Sequence, residues 1–381
     1  MNKIESPISV LDFGSYSLGL AIYDKIILSQ NLYYEEKINF KKKNQDSNLS
    51  LISNIIDKAE KTLGQHLKEI LLLIDSSSTF TIDLSIQKNY EKKKLCKEDI
   101  DYLVTECENI IKANYENNYI LHIIKSNIFI DNKSVNDLEN FNQETNKVSV
   151  DLKFIMINKK SCEEISKILY KKHISIKKIF STSYLKSLGL IKKFGISGYS
   201  SFIDIGYKKS SLSIYQNNIL LFSSNTHIGG DHVTKDISKI LKLSYRIAEA
   251  KKIKFSKKNE INHQDQNELL LNKIINARLE EIVELLFINC PIIENNFKDS
   301  KTKLFFTGNG SKVLNKNFLS FGPEFNFISE MSIIEELRRD VLDAAIDFHA
   351  EYQKIQPKKS TIKLENKGFF EKLFDYLSLG K

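Results

Sequence analysis

Two stretches of this sequence, far apart along the chain, carry an aspartate and a glycine at the same spacing. Asp12 and Gly14 lie in the first stretch, and Asp204 and Gly206 lie in the second. Each follows an apolar segment and precedes one with apolar residues at alternate positions, a pattern that predicts a β-hairpin. Glycine lets the backbone approach a ligand, turn N–H groups can point at phosphate oxygens, and an aspartate at a strand end can hold hydrated Mg²⁺. These residue types therefore suit the binding of a phosphate group with its metal ion.

The predicted hairpin occurs twice, and a third motif follows the second copy. A unit repeated at this distance predicts two related domains that face each other. Gly229, Gly230 and Asp231 lie at the predicted start of a helix, where glycines allow a phosphate to come close. One such hairpin alone is more simply explained as ordinary structure, but the pair followed by Gly-Gly-Asp favours a nucleotide site.

These motifs, in this order, resemble the actin-like ATPase superfamily and, within it, the FtsA family of bacterial cell-division proteins. Residues 227–237, which read HIGGDHVTKDI, are similar to the segment that follows the second phosphate loop of that family. The resemblance runs along the whole chain. It implies an α/β, actin-like fold of two lobes, which are duplicated ribonuclease-H-like domains, with an inserted α+β subdomain of the 1C type and a C-terminal amphipathic helix.

The resemblance also implies how the chain divides into domains. The expected boundaries are residues 8–78 and 158–197 for the first lobe (1A), 79–157 for the inserted 1C-type subdomain, 198–226 and 296–352 for the second lobe (2A, whose last helix can return to 1A), 227–295 for subdomain 2B, 353–366 for a linker and 367–381 for the amphipathic membrane-targeting helix.

By the same resemblance, the conserved loops of the superfamily map onto a site for ATP and Mg²⁺. Asp12 and Asp204 would hold the metal ion through water, and Lys254 lies on the helix that would touch the ribose and purine. The predicted nucleotide-binding residues are Asp12, Gly14, Ser15, Tyr16, Ser17, Asp204, Gly206, Lys208, Lys209, Gly229, Gly230, Asp231, Lys254, Gly308, Asn309 and Gly310.

The second phosphate loop departs from the family pattern Asp-Ile-Gly-Gly-Gly-Thr-Thr-Asp. Tyr207 and Lys208 replace two glycines, and Ser211 replaces the last aspartate. These side chains hinder the approach of the backbone to a phosphate, although Lys208 or Lys209 could offset part of the loss by charge. Asn309 likewise replaces a glycine in the adenosine loop. We therefore expect ATP to bind weakly, hydrolysis to be slow at most, and no residue to act as a catalytic base.

Two features point to protein partners. Residues 79–157 predict a small sheet with a helix and exposed edges, suited to contact with another copy of the chain, and FtsA carries its 1C insertion at this position. The predicted helix Leu269–Ile288 matches the FtsA helix that receives the C-terminal tail peptide of FtsZ. Arg278 falls where that family places an arginine facing this acidic peptide; a solvated helix face is the alternative interpretation.

The C-terminal stretch Lys367–Leu379 predicts an amphipathic helix behind a polar linker. It is too short and too polar to span a bilayer, so it either lies in a membrane surface or docks on the protein's own core. The C-terminal membrane-targeting helix of FtsA favours the membrane. The residues predicted to enter the lipid are Phe369, Phe370, Leu373, Phe374 and Leu377.

Composition limits the remaining classes of function. The chain has 381 residues and a formal net charge of +8, which is spread along the sequence and favours an anionic membrane surface or acidic peptide. The four cysteines lack paired ligand spacing and are expected to be reduced thiols in a cytoplasm. We find no signal peptide and no apolar run near the roughly 18 residues of a spanning helix. We expect no nucleic-acid partner.

The sequence thus predicts a peripheral protein on the cytoplasmic side of the inner membrane at the division site. It would tether FtsZ polymers there, self-associate head to tail and recruit later division proteins. A pilus-assembly scaffold or a metabolite kinase of the same fold is the alternative. A kinase would need a carboxylate base in the cleft between the lobes, whereas pilus-assembly relatives share the insertion but usually lack such a tail.

Overall fold

The computed structural model describes residues 7–26, 29–40, 45–135, 144–257, 264–288, 290, 301–314, 325–335 and 338–355. The chain divides into two compact units, residues 1–345 and residues 346–381. The first unit contains three β-sheets. Of the second unit, the structure describes only the continuation of the last helix.

The first sheet belongs to the N-terminal half of the chain, and its strands follow the order β3-β2-β1-β4-β9. Strands β1, β2 and β3 are antiparallel neighbours, and β4 and β9 run parallel to β1. The strands are β1 (Pro7–Phe13), β2 (Ser17–Ile26), β3 (Ser29–Asn39), β4 (Glu69–Ile74) and β9 (Ser175–Ser181). The helices that accompany them are α1 (Gln45–Leu63), α3 (Lys160–Lys171) and α4 (Thr182–Phe194).

The second sheet repeats this topology, with the order β12-β11-β10-β13-β14. Its first three strands are again antiparallel, and its last two run parallel to the first. The strands are β10 (Tyr199–Ile205), β11 (Ser210–Gln216), β12 (Ile219–Thr226), β13 (Thr302–Thr307) and β14 (Ile328–Ile333). The duplication predicted from the two hairpins is therefore present in the fold as two sheets of the same connectivity.

A third, four-stranded sheet lies between β4 and α3 in the sequence, and its order is β5-β8-β6-β7. Its strands are β5 (Phe80–Lys94), β6 (Asn118–Ile130), β7 (Lys133–Ser134) and β8 (Glu144–Asn158). Helix α2 (Lys97–Asn114) buries Ile100, Leu103 and Cys107 in one apolar cluster with this sheet. Within the described part of the chain, β5 pairs with β8 alone, so β5 is an edge strand.

Four helices and one short 3₁₀ helix complete the described elements. The four are α5 (Gly230–Ile240), α6 (Tyr245–Ser256), α7 (Gln266–Phe287) and α8 (Arg338–Ile355). The 3₁₀ helix covers Asn309–Val313. Buried residues of α7, such as Ile275, Leu279 and Val283, form one core with the inner face of the second sheet. This core fixes α5, α6 and α7 beside the carboxyl end of β10.

Two elements differ from the sequence prediction. Apolar spacing predicts one helix over Asp231–Ile247, but α5 ends at Ile240 and Lys242 adopts a left-handed conformation (φ 51°) before α6. The pattern of Ser332–Tyr352 predicts a helix from its first residue, but Ser332 and Ile333 belong to β14, and the described part of α8 covers Arg338–Ile355. Parallel pairing of β14 with β13 outweighs the local helical pattern.

None of the described helices combines the length and the apolar character that crossing a lipid bilayer requires. The predicted membrane-targeting helix at 367–381 lies outside the described residues, as does most of the predicted linker. The remaining predicted site residues all lie within the first unit.

Candidate functional site

The predicted site lies where the parallel strands of both sheets end. Phe13 pairs with Ile74 and Ile74 pairs with Ser181, so the residues that follow β1, β4 and β9 share one edge of the first sheet. In the second sheet, Asp204 pairs with Thr307. Ligand sites of open α/β sheets form at this edge, outside the carboxyl ends of the strands.

The two predicted phosphate loops have the same backbone geometry. Gly14 N donates to Ser17 O at 3.0 Å, and Gly206 N donates to Lys209 O at 2.9 Å. A Cβ on Gly206 would lie 2.9 Å from Lys209 O, so this turn needs glycine. The repeated Asp-x-Gly pattern in the sequence therefore corresponds to the same backbone turn in both lobes.

Three predicted glycines of the second lobe pack against the second loop. A Cβ on Gly229 would lie 2.7 Å from Gly206 O and 2.8 Å from both Lys209 N and Tyr207 O. Gly308 has φ 84°, and a Cβ there would overlap Asp204 and Ile205; Gly310 is as tightly placed against Ile205. The structure thus brings these glycines together, and the neighbours that exclude a side chain are atoms of the protein itself.

The first N–H groups of α5 are already used within the protein. Gly230 N donates to Gly206 O at 2.9 Å, and Asp231 N donates to Tyr207 O at 2.8 Å. A helix N-terminus can bind phosphate because such N–H groups are otherwise left without partners. Here carbonyl groups of the second loop accept hydrogen bonds from two of these N–H groups.

Asp231 is buried at the same helix start. Its carboxylate accepts from Tyr245 Oη at 2.6 Å and pairs with Lys235 Nζ at 2.6 Å, and the Tyr245 hydroxyl lies 2.9 Å from that of Tyr207. Burial alone would raise the pKa of Asp231, but the bonds from Lys235, Tyr245 and Tyr207 outweigh it and lower the pKa to about 2.

Lys252, which the sequence prediction missed, is the α6 lysine that reaches this region. Its Nζ donates to Gly230 O at 2.9 Å and to Thr234 Oγ1 at 2.7 Å, and it pairs with Glu249 at 2.8 Å. Lys254, the predicted purine contact, lies on the exposed face of α6. Helical spacing was the available signal, because Lys252 shares the buried face with Ala248 and Phe255.

The two phosphate loops touch each other across the cleft. Lys208 N donates to Ser15 Oγ at 3.3 Å. The rings of Tyr16 and Tyr207 lie 5.2 Å apart between centroids, inclined at 52°. A phosphate chain bound between the loops would have to displace these contacts.

Two lysines make ion pairs across the same cleft. Lys186 of α4 lies 2.8 Å from Asp204 Oδ2, and both side chains are only 12% exposed. Lys209 lies 2.5 Å from Asp75 Oδ1 and also donates to Ser76 O at 3.2 Å. Sequence reasoning missed Lys186 and Asp75, because no local motif marks a contact between distant segments.

These contacts decide whether the residues fit Mg²⁺ and ATP. One observation favours an ion, since Asp204 Oδ1 is buried and makes no hydrogen bond to any described residue. However, the other oxygen of Asp204 is already paired with a lysine ammonium group, and the two phosphate loops contact each other. The first N–H groups of α5 donate hydrogen bonds to the second loop. The residues as placed therefore do not fit a magnesium–triphosphate between the loops. No cluster of three metal-ligating side chains occurs among the described residues.

Arg278, the predicted contact for an acidic peptide, lies on α7 with carboxylate partners of its own. Its Nε and Nη2 bind Asp236 at 2.5 and 3.0 Å, and Nη1 pairs with Glu281. The Arg278 side chain is 23% exposed, so part of it remains accessible. An acidic peptide would share this arginine with Asp236 or replace it.

Comparison with solved structures defines the fold. The chain is similar to a structure described as the PilM-PilN type IV pilus biogenesis complex, with a TM-score of 0.56 over 93% of this chain and 100% of the other. At 12% identity, this likeness shows the fold alone. Together with the repeated sheet topology, it confirms the predicted two-lobed, actin-like α/β fold.

Sequence comparisons match part of the chain to one family. Residues 201–352 match the family model described as Cell division protein FtsA. The FtsA of Helicobacter pylori (strain ATCC 700392 / 26695) is 26% identical over 145 residues, which cover 38% of this chain and 29% of that protein. The FtsA of Rhizobium meliloti (strain 1021) is 21% identical over 269 residues, 62% of this chain and 57% of its own. The chain therefore spans less than two thirds of these relatives, and its resemblance to FtsA is confirmed.

The packing of Gly229 yields a first prediction. Gly229→Ala would place a methyl group against three backbone atoms of the second loop and should lower the free energy of unfolding by about 2–3 kcal/mol. Gly230→Ala is the matched control, because its Cβ would meet nothing nearer than 3.6 Å. Denaturant unfolding measures both. Equal stability of the two variants would contradict the described packing.

Asp231 yields a pH-dependent prediction. Its folded pKa of about 2 lies below the unfolded value, so its stabilisation is complete above about pH 5 and is lost as the pH falls toward 2. Asp231→Asn should cost about 2 kcal/mol at neutral pH, and this difference should shrink below pH 4. Chemical denaturation between pH 2.5 and 7 measures it. The exposed Glu116→Gln is the control, and a difference independent of pH would exclude the ionised pairing of Asp231.

Proposed function

We propose that this chain is a cell-division protein of the FtsA type that links FtsZ polymers to the cytoplasmic face of the inner membrane at the division site. The match of residues 201–352 to the FtsA family model is the observation that carries the proposal. The two-lobed fold supports it, since that fold offers separate surfaces for several partners. The proposed role is to connect a polymer, a membrane and later division proteins.

The proposed FtsZ contact lies on α7, where Arg278 and its neighbours face solvent in part. Arginine suits an acidic peptide because its planar group binds carboxylates through two parallel hydrogen bonds. Asp236 already uses this geometry, so a peptide carboxylate would compete with an internal one. We therefore propose weak binding of a single tail, made effective by many tails on one polymer.

The edge of the third sheet supports the proposed head-to-tail self-association. Strand β5 has 15 residues, and β8 is its only partner among the described strands. An open edge can accept a strand or loop of a second copy through backbone hydrogen bonds. Its exposed lysines, including Lys92 and Lys94, discourage unspecific pairing and favour a partner with acidic side chains.

Membrane attachment in this proposal rests on the amphipathic sequence of residues 367–379. ATP and Mg²⁺ stay a prediction, and the proposed tether requires neither. The likeness to the PilM-PilN complex shows fold alone and carries no pilus function to this chain. Asp75 and Asp204, two carboxylates of the cleft, are both paired with lysines, so neither is placed as the base that a kinase would need.

Liposome flotation tests the membrane part of the proposal. The full chain should float with anionic vesicles, and a chain that ends at Gln356 should remain at the bottom of the gradient, because it lacks the amphipathic segment. Leu373→Asp/Phe374→Asp in the full chain should abolish flotation, whereas the matched double variant Lys372→Asp/Asp375→Lys on the polar face should still float. Equal behaviour of the full and shortened chains would exclude the proposed tether.

Peptide binding tests the role of Arg278. Arg278→Ala should weaken binding of a fluorescent FtsZ tail peptide about tenfold, since it removes a charged contact of about 1.4 kcal/mol. Asp236→Asn should tighten binding a few-fold, because it removes the competing carboxylate. Lys273→Ala, an exposed residue of the same helix, is the control. If neither Arg278→Ala nor Asp236→Asn changes the anisotropy curve, the peptide binds elsewhere.

A further inference from the structure

The cleft between the lobes contains two ion pairs that run in opposite directions. The first lobe provides Lys186, whose partner Asp204 belongs to the second lobe. The second lobe provides Lys209, whose partner Asp75 follows β4 of the first lobe. Each lobe thus contributes one cation and one anion to these two ion pairs.

One of these pairs involves a carboxylate that was predicted to hold Mg²⁺. The ammonium group of Lys186 lies 2.8 Å from Asp204 Oδ2, so a cation already neutralises it. Lys209 belongs to the second phosphate loop and was predicted to attract phosphate, but its Nζ contacts Asp75 and the Ser76 carbonyl instead. Asp204 and Lys209, two of the charged residues of the predicted site, therefore find their counter-charges within the chain.

We propose that Lys186 and Lys209 are built-in cations that hold the two lobes together without nucleotide. In a cleft lined by glycines and free carboxylates, a magnesium–nucleotide complex would link the two lobes. In this cleft the two lysines provide that link. The cleft is then a permanent structural joint, and its closure does not follow the nucleotide state. This inference is independent of the proposed tether, which could fail while the joint holds.

These ion pairs stabilise the closed cleft because their side chains are largely shielded from water. The side chains of Lys186, Asp204 and Lys209 are 11–12% exposed. A pair shielded from water is screened little by salt, and loss of one partner leaves a buried charge without compensation. Opening the cleft would separate all four charges at once. The pairs therefore favour a closed cleft much more than exposed ion pairs could.

Uncharged contacts close the space around the ion pairs. The Tyr16 and Tyr207 rings meet at the loop tips, and Ser15 accepts from Lys208 N. Deeper in the cleft, Ser187 Oγ of α4 lies 2.6 Å from Tyr215 Oη of β11, and both residues are buried. Tyr207 stands where the family has glycine, so the departure that hinders phosphate binding also supplies a contact between the lobes.

The first experiment compares the thermal unfolding of the full chain in EDTA with that in millimolar Mg²⁺ and ATP. A ligand that binds only the folded state raises the melting temperature in proportion to the logarithm of its concentration over Kd. We expect a shift within about 1 °C, because the joint is complete without ligand. A rise of several degrees that requires both Mg²⁺ and ATP would overturn the proposal.

The second experiment removes the cations. Lys186→Ala and Lys209→Ala should each lower the melting temperature by several degrees, whereas Lys171→Ala on the exposed surface of α3 should change it by about 1 °C or less. The charge-swapped double variant Lys186→Asp/Asp204→Lys should recover part of the loss of Lys186→Ala. Single variants as stable as the unchanged protein would contradict the proposal.

Hydrogen exchange separates an opened cleft from general destabilisation. In Lys186→Ala, amides of residues 12–18 and 204–211 should exchange faster than in the unchanged protein, while those of β8 in the third sheet should not. Uniform acceleration across the chain would exclude a joint at this position. If the variants fail to fold, the comparison of EDTA with Mg²⁺ and ATP on the unchanged protein still decides the question.

Discussion

The second phosphate loop is fixed by backbone groups that leave no room for a Cβ, and the arrangement of the cleft depends on this packing. Buried N–H and C=O groups must find partners, and here two N–H groups of α5 donate to the carbonyls of Gly206 and Tyr207. Gly229 allows this approach because a side chain would overlap three loop atoms. Because the backbone of the loop is fixed, the side chains of Tyr207 and Lys209 are held where they contact the first lobe. A glycine pattern that resembles a phosphate cradle thus serves contacts within the protein.

Much of the fold could be predicted because local patterns of apolar residues indicate many of its strands and helices. Alternating apolar residues around Asp12 and Asp204 predicted the two hairpins, and the structure confirms the duplicated topology around them. Strand β14 was not recognised, because it is defined by pairing with β13 and its last two residues, Ser332 and Ile333, fall at the start of a segment whose apolar spacing suits a helix. Lys186 and Asp75 were missed for a related reason. Their partners lie 18 and 134 residues away, and a lysine on an amphipathic helix usually faces solvent.

The candidate site shows how one set of residues can support two different interpretations. Aspartate and glycine at strand ends suit magnesium and phosphate, and the sequence alone gives no reason to place an ammonium group on Asp204. The side chains that depart from the family pattern decide the matter, since Tyr207, in place of a glycine, meets Tyr16, and Lys209, in place of a threonine, meets Asp75. Departures from a motif are therefore informative in themselves. They show which contacts have taken the place of those that the motif would make.

A tether and a nucleotide-controlled switch place opposite demands on such a cleft. A switch needs two lobe arrangements of similar free energy, so that a ligand with different affinity for each can change their populations. A tether that transmits force between a polymer and a membrane needs a single arrangement of its lobes. Motion between its binding surfaces would reduce the gain in affinity that comes from binding through several surfaces at once. Two partly buried, reciprocal ion pairs favour a single arrangement. The cleft of this chain therefore agrees better with a passive connector than with a switch, whichever partners it connects.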